Sequence, residues 1–237
     1  MKRTLFIALS GLFLLNISHA QDKKKETIEG NGKHITRDVT ISSFDALKVS
    51  GVYELKLLQG SKESVKIEAD ENLQDYFNVR NEGNKLVIDM DKLKNKNLKK
   101  PGKIIVYVTF RKLKELDLST VGNVVSEESL SFDDLDLSNN SVGNVDLNLN
   151  AGKIDIKNSG VGNIKLRGKA TDAIVKNSGV GSLEAGSFVV QTMNINNTGV
   201  GNAEVNAEKD LKVTDSFLGK VKNRGNANVR RMNKVRV

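Results

Sequence analysis

A short phrase centred on glycine recurs six times in the C-terminal half of this chain of 237 residues. Its central glycines stand 18 to 21 residues apart, and the phrases resemble S-G-V-G-N-I. They are Gly122, Gly143, Gly162, Gly181, Gly201 and Gly219. Self-similarity at a fixed period of about 20 residues is typical of a solenoid, in which each repeat packs on the one before. We therefore predict an all-β fold, a right-handed parallel β-helix with about 19–20 residues per coil, after a more irregular N-terminal β region.

When the six repeats are aligned on their glycines, equivalent positions hold similar residues. An aliphatic residue precedes every glycine: Val121, Val142, Val161, Val180, Val200 and Leu218. An asparagine stands four residues before the inner glycines: Asn139, Asn158, Asn177 and Asn197. Equivalent residues of stacked parallel strands lie about 4.8 Å apart. We therefore expect a continuous apolar column beside a column of amides that hydrogen-bond from coil to coil.

The glycine phrase itself is expected to form a corner of each coil. Glycine is required where φ is positive or where a side chain would collide with the next coil. A calcium site is the alternative interpretation, but the spacing of calcium-binding β-rolls is absent and the polar column is amide rather than carboxylate. The glycines and asparagines are therefore predicted to be structural.

The chain divides into five segments. Residues 1–20 have the basic start, the apolar run and the small residues before a cleavage site that are typical of a signal peptide. Residues 21–29 are expected to be a mobile leader, 30–112 the irregular β region, 113–225 the repeats and 226–237 a basic tail or cap. No transmembrane segment is expected in the mature chain, which should be exported to the periplasm, the cell surface or the medium.

The composition limits the chemistry and the partners. There is no cysteine, which excludes disulfides and a lipid anchor on cysteine. The net charge is +8, and residues 216–237 contain seven basic residues and no acidic one. For an exported protein this favours an anionic glycan, lipopolysaccharide or an envelope protein over nucleic acid. Alternatively, the basic tail only guards the open edge of the β-helix.

No catalytic, cofactor-binding or metal-binding residue is predicted. His34 is the only histidine after the signal peptide, and we expect it to be an ordinary surface or strand residue. The densest acidic patch is expected in a solvated loop and consists of Glu127, Glu128, Asp133, Asp134 and Asp136. The repeats also lack the long insertions that usually form the walls of a substrate cleft.

Residues 30–60, G-N-G-K-H-I-T-R-D-V-T-I-S-S-F-D-A-L-K-V-S-G-V-Y-E-L-K-L-L-Q-G, resemble the opening of the putative auto-transporter adhesin, head GIN domain family. The E-A-D-E-N-L-Q-D-Y-F segment, the K-L-V-I-D strand and the G-V-G-N repeats are similar as well. The resemblance implies an exported β-helix protein and offers no catalytic residues. Our first hypothesis is a non-enzymatic envelope protein with an adhesin-like binding surface. The alternatives are a periplasmic structural or stress-related scaffold and a polysaccharide-active enzyme.

Overall fold

The computed structural model describes residues 25–232, so the predicted signal peptide, residues 21–24, Lys234 and Arg236 lie outside the described residues. The strands of the N-terminal half are β1 (Thr27–Glu29), β2 (His34–Val39), β3 (Ala46–Val52), β4 (Glu54–Gln59), β5 (Ser64–Asp70), β6 (Asn78–Glu82), β7 (Lys85–Asp89), β8 (Asn97–Lys99) and β9 (Ile105–Phe110). Those of the C-terminal half are β10 (Glu115–Val121), β11 (Val124–Val125), β12 (Leu130–Asn139), β13 (Val145–Asn158), β14 (Ile164–Asn177), β15 (Leu183–Asn197), β16 (Ala203–Asp215), β17 (Val221–Asn223) and β18 (Asn228–Arg231). Two 3-10 helices, Glu71–Tyr76 and Asp91–Leu93, complete the described elements.

The repeats form stacked coils. β13, β14, β15 and β16 pair side by side in parallel, and β12 pairs in parallel with β13. The residues before the glycines stand in one file of parallel bridges, from Val121 through Val142, Val161 and Val180 to Val200. This pairing confirms the all-β parallel solenoid that the repeats predict.

Each coil alternates inward and outward side chains along its strand. In β13, Leu147 and Leu149 are buried before a bend at residues 151–153, and Ile154 and Ile156 are buried after it. A period of two is what a strand requires when one of its faces covers a core. Apolar residues of successive coils therefore build one continuous core along the solenoid axis.

The parallel stack continues into the N-terminal region. β3 pairs in parallel with β10, and β4 pairs in parallel with β11. β7 then pairs with the other edge of β3, and β9 with the other edge of β4. The coil formed by β7 and β9 therefore lies outside the coil formed by β3 and β4, although it follows that coil in the sequence. Gly51, with φ of 142°, lies near the end of β3, just before the chain passes into β4.

Antiparallel strands close the N-terminal end of the stack. β5 pairs antiparallel with β9 and β2 with β5, while β6 pairs antiparallel with β7. These strands cover edges that would otherwise expose unpaired backbone groups. The 3-10 helix Glu71–Tyr76 follows β5 directly and buries Leu73 and Gln74.

Residues 25–29, the described end of the predicted leader, contain the short strand β1. β1 pairs in parallel with β8, and Ile28 and Leu98, both partly buried, pack against the core. Ion pairs join Glu26 to Lys96 at 2.7 Å and Glu29 to Lys100 at 3.1 Å. The pairing also places a short strand in the lysine-rich segment 91–103.

The C-terminal end is formed by short strands. β17 and β18 both pair in parallel with β16. All four residues of β18 are exposed, and Phe217 is 88% exposed. The described part of the basic tail therefore continues the stack as a partial coil.

Candidate binding face

The corner that contains the repeated glycine phrase of each coil is built around glycine. Gly162 has φ of 132°, and a Cβ at this position would lie 2.1 Å from the carbonyl oxygen of Gly143. Five of the predicted glycines share this geometry, with φ between 130° and 143°: Gly122, Gly143, Gly162, Gly181 and Gly201. Gly219 differs, because its φ is not positive and it approaches the Gly199 oxygen instead, with a Cβ distance of 2.7 Å. At this corner the coils are in backbone-to-backbone contact.

The asparagine column lies inside the corner. Asn139 donates from Nδ2 to Oδ1 of Asn158 at 2.8 Å, Asn158 donates in the same way to Asn177 at 2.6 Å, and Asn177 to Asn197 at 2.6 Å. Asn197 ends the series by donating to the carbonyl oxygen of Gly219 at 2.8 Å. All four side chains are at least 93% buried. Because each amide satisfies the next, a buried polar column is held without unpaired groups.

The aliphatic column lies on the outside of the same corner. Val121, Val142, Val161, Val180 and Val200 are each 49–51% exposed. Val52 of the preceding coil and Leu218 of the following one extend the exposed column. Sequence reasoning predicted that the valines stack but did not predict their exposure.

The exposure of the valines follows from the shape of the corner. Asn158 and Gly160 point inward, and a Cβ on Gly160 would lie 2.6 Å from the Ser141 oxygen. The inner space is thus filled by amides and backbone and has no room for a valine side chain. Val161, one residue later, must face solvent, and the chain turns inward again only at Ile164.

A second row of asparagines flanks the valines at the surface. The backbone N–H of Asn144 donates to Oδ1 of Asn123 at 3.0 Å, that of Asn163 to Oδ1 of Asn144 at 3.0 Å, and that of Ser182 to Oδ1 of Asn163 at 2.9 Å. These bonds fix the orientation of each amide. Within residues 25–232, the Nδ2 atoms of Asn123, Asn144 and Asn163 have no hydrogen-bond acceptor, so they face solvent as a row of donors.

The whole corner is uncharged. We name as the neutral strip residues 118–123, 139–144, 158–163, 177–182 and 197–202, which contain no Asp, Glu, Lys or Arg. In a chain with 28% charged residues, five such segments in register are a signal that the sequence already contained. Sequence reasoning missed the uncharged segments because it considered the glycines and the asparagines one column at a time.

In the described part of the C-terminal end, three arginines pair with carboxylates of the coil beneath them. Arg224 contacts Glu204 at 2.8 Å and Arg231 contacts Asp215 at 2.6 Å, while Arg230 contacts Asp210. Burial raises the pKa of Asp215, but hydrogen bonds from the Val221 N–H and from Arg231 outweigh it and hold that pKa below its ordinary value. The tail therefore offers less free positive charge than its sequence indicates.

The predicted acidic patch is divided, since Asp136 lines a cavity of about 240 Å³ with Glu115, Asp117 and Asp155, which Glu127 and Asp133 do not line. Glu127 pairs with Lys56 at 2.7 Å, and this hydrogen bond lowers the pKa of Glu127. Asp133 and Asp134 lie at the bend inside β12, not in the expected loop, since β12 runs unbroken from Leu130 to Asn139. Asp133 is almost fully exposed, 3.8 Å from Lys112.

A shallow groove of about 760 Å³ follows the bend on the far side of the coils from the glycine corner. Phe132, Ala151, Ala170 and Val189 line it, and Lys169 is its one ionisable lining residue. No group of three or more His, Asp or Glu side chains in the described residues could hold a metal ion. His34 begins β2 with an exposed side chain, 3.7 Å from Asp70, as expected of a strand residue at the surface.

Several solved structures have a similar fold. A putative adhesin from Bacteroides fragilis is 26% identical, with a TM-score of 0.73 over 86% of this chain and 100% of its own. A putative lipid binding protein from Parabacteroides distasonis is 21% identical, with a TM-score of 0.68 over 88% of this chain and 96% of its own. A putative adhesin from the same organism is 22% identical, with a TM-score of 0.63 over the same shares.

Two further findings bear on identity. Across residues 25–232, no helical segment reaches the length and hydrophobicity that a bilayer crossing requires. No curated protein matches this sequence. The model of the family described as putative auto-transporter adhesin, head GIN domain, matches residues 43–227, which confirms the resemblance found in the sequence. The chain, with its glycine corners and stacked amides, therefore belongs to the head GIN domain family of putative auto-transporter adhesins.

Proposed function

We propose that this chain is a non-enzymatic, exported protein of the cell envelope that binds a partner on the outside of its solenoid. The observation that carries the proposal is the file of half-exposed valines within the neutral strip. A contiguous exposed apolar row with polar residues on both sides is typical of an interaction site. Apolar side chains without such a role are usually scattered singly over a surface.

The carboxylates support a role without catalysis. Enzymes that hydrolyse glycans use two carboxyl groups that flank the scissile bond. Here Glu127 is held by Lys56 and Asp133 extends into solvent. Glu115, Asp117, Asp136 and Asp155 share a small cavity of about 240 Å³, but Lys85 pairs with Glu115 at 2.9 Å and Lys48 lies 3.8 Å from Asp117. This arrangement favours binding over turnover of a polysaccharide.

The packing of the interior supports a partner on the outside. The names of the similar structures include two adhesins and one lipid binding protein. Leu147, Ile156 and Leu166, each about 1% exposed, illustrate how side chains fill the coils. A lipid bound by this chain would therefore contact the outer surface of the described coils rather than enter them.

Adsorption to cell envelopes tests the proposal. The labelled full chain, purified after expression, is titrated onto intact bacterial cells and onto isolated envelopes, and bound protein is measured. We expect saturable adsorption and no release of reducing sugar from envelope polysaccharide. Absence of saturable adsorption would contradict the binding role, and release of sugar would favour the enzyme.

Protease treatment of intact cells tests the location. A protein displayed at the surface is expected to be degraded while a periplasmic marker enzyme survives. Full protection of the chain would support the periplasmic scaffold instead, because only chains beyond the outer membrane are accessible to the protease.

A further inference from the structure

We infer that the neutral strip binds an extended, uncharged, β-linked glycan chain that lies along the solenoid axis. This inference rests on the binding role proposed above and names the site and the class of ligand. Three features of the strip carry it: the spacing of its apolar file, the orientation of its amides and its lack of charge.

The spacing defines a linear ligand. The valines from Val121 to Val200 follow one another in parallel bridges, so one side chain projects per coil at intervals of about 4.8 Å. Five coils therefore present a straight apolar file roughly 19 Å long. This interval is close to the length of one sugar ring in an extended chain, whereas a chain that coils cannot follow a straight file.

The surface amides supply hydrogen-bond donors of fixed orientation. Oδ1 of Asn123, Asn144 and Asn163 is occupied by a backbone N–H of the next coil at 2.9–3.0 Å. Asn123, Asn144 and Asn163 are exposed and each stands two residues after a valine, so the Nδ2 donors remain for a ligand at the surface. Such preorganised donors lose little entropy on binding. A sugar ring combines an apolar face of C–H groups with hydroxyl oxygens at its edge, which matches a valine beside an amide donor.

The lack of charge argues against charged polymers. A polyanion on the neutral strip would lose water without gaining an ion pair, which is unfavourable. The nearest cations, such as Lys157 and Lys176, lie on the outward face of the preceding strand and outside the strip. The sequence-based expectation of an anionic partner therefore fits this face poorly.

The size of the strip argues against a second copy of the chain. Five coils by about five extended residues cover roughly 300 Å². A stable protein interface needs about 800 Å² from each partner. A membrane is also a poor occupant, because the exposed amides have no partners in hydrocarbon.

The experiment measures binding of oligomers of β-1,4-linked N-acetylglucosamine, two to six units long, to the purified full chain by calorimetry or NMR titration. Many weak equal contacts add along a polymer, so affinity should rise with each added unit and level off at about five units, one per coil. Raising the salt concentration should leave the affinity unchanged. An α-linked glucose oligomer and polygalacturonate serve as the coiled and the anionic comparison and should bind at least tenfold more weakly.

Variants locate the site. Val161→Asp should weaken binding at least tenfold. Val189→Asp, at an exposed valine that lines the groove of about 760 Å³, should leave binding unchanged. Val161→Thr, which keeps the shape of the side chain, provides a second test if the aspartate variant fails to fold.

The outcomes separate the two proposals. Adsorption to envelopes without binding of the oligomers, or binding that the Val161 variants do not affect, overturns the inference and leaves the binding role intact. Self-association in sedimentation that Val161→Asp abolishes also overturns it and assigns the strip to a second copy. Loss of both adsorption and oligomer binding overturns the proposed function as well.

Discussion

The repeat coils and the N-terminal end of the molecule satisfy their buried polar groups in different ways. In the coils each buried asparagine bonds to its own equivalent one coil away, as Asn158 does to Asn177. At the N-terminal end unlike groups meet, and less completely: Gln74 donates from Nε2 to the carbonyl oxygens of Ile35 and Ile67 while its buried Oε1 has no partner among the described residues, and Arg80 contacts Asp89. The coils thus use one solution repeatedly, whereas the end uses a different solution at each site.

The glycine column shows the same difference at its first position. The residue beneath Gly122 is Tyr53, whose carbonyl oxygen would lie 2.3 Å from a Cβ on Gly122. Tyr53 is buried, its ring packs tilted against that of Phe77 with centroids 5.8 Å apart, and its hydroxyl donates to the Ile88 oxygen at 3.3 Å. Burial raises the pKa of Tyr53. The coil that contains Tyr53 has no identical coil beyond it, and the large side chain of Tyr53 fills the space. We therefore expect a substitution of Tyr53 to act locally.

The largest effect is expected at the centre of the glycine column. Gly162→Ala combines backbone strain of about 1–3 kcal/mol at φ of 132° with a collision against the Gly143 oxygen. Overpacking adds about 1–3 kcal/mol, so the free energy of unfolding should fall by roughly 2–6 kcal/mol. The measurement is urea denaturation followed by circular dichroism.

Gly83→Ala is the matched control from the N-terminal region. Gly83 has φ of 62° but no atom within 4 Å of its Cβ position, so only the strain of about 1–2 kcal/mol applies. Equal losses for the two variants would show that close contact between coils contributes nothing.

The amide column is expected to have the next largest effect. Asn177→Ala removes the acceptor of Asn158 and the donor to Asn197, both at 2.6 Å. An unsatisfied buried group costs about 1–3 kcal/mol, so we expect a loss of about 2–3 kcal/mol in total. Asn196→Ala, at the exposed neighbour, should change stability by less than about 0.5 kcal/mol. A loss no greater at Asn177 than at Asn196 would contradict the self-satisfying column.

A pH-dependent effect is expected at the N-terminal end. Burial raises the pKa of Asp89, but hydrogen bonds from Arg80, the Asp91 N–H and Asn78 outweigh it, so that pKa is lowered. A lowered pKa stabilises the fold above the unfolded value of about 3.9, and this stabilisation is lost as the pH falls through the folded pKa. At pH 7, Asp89→Asn should cost about 1–2 kcal/mol, since Arg80 is partly exposed.

The difference between wild type and Asp89→Asn should shrink as the pH is lowered below about 4. Urea denaturation at pH 7 and at pH 3 measures it, with Asp38→Asn, on the exposed face of β2, as the control. A difference that stays constant with pH would mean that the charge of Asp89 has no role.

The smallest effect on stability is expected on the neutral strip. Val161→Thr should change the free energy of unfolding by less than about 0.5 kcal/mol, because half of the side chain is already exposed. The same substitution at Val175, which is 3% exposed in β14, the strand that follows Val161, should cost about 1–3 kcal/mol. Similar losses at both positions in thermal or urea denaturation would show that the valine file is part of the core.

The repeat part of the fold could be predicted because the period, the glycines and the strand alternation all agree. The N-terminal stacking order could not. Nothing local to residues 85–110 shows that they pack outside residues 46–59, since either strand offers an edge that β7 could join. The order depends on pairing between segments far apart in the chain. The antiparallel strands β5 and β6 take the chain to the N-terminal end of the stack, and the chain returns to the other edge of β3 at β10.

The sequence alone determined which residues stack: a repeat of about 20 residues with one glycine, one valine and one asparagine leaves little choice but columns of each. Only the tertiary structure decided which columns face inward. Asn158 lies inside and Val161 outside because the backbones of successive coils are in contact at the corner. The remaining space holds an amide that hydrogen-bonds to the amide of the next coil, but it has no room for a branched side chain. The candidate binding face follows from that restriction, since it places the apolar column in solvent.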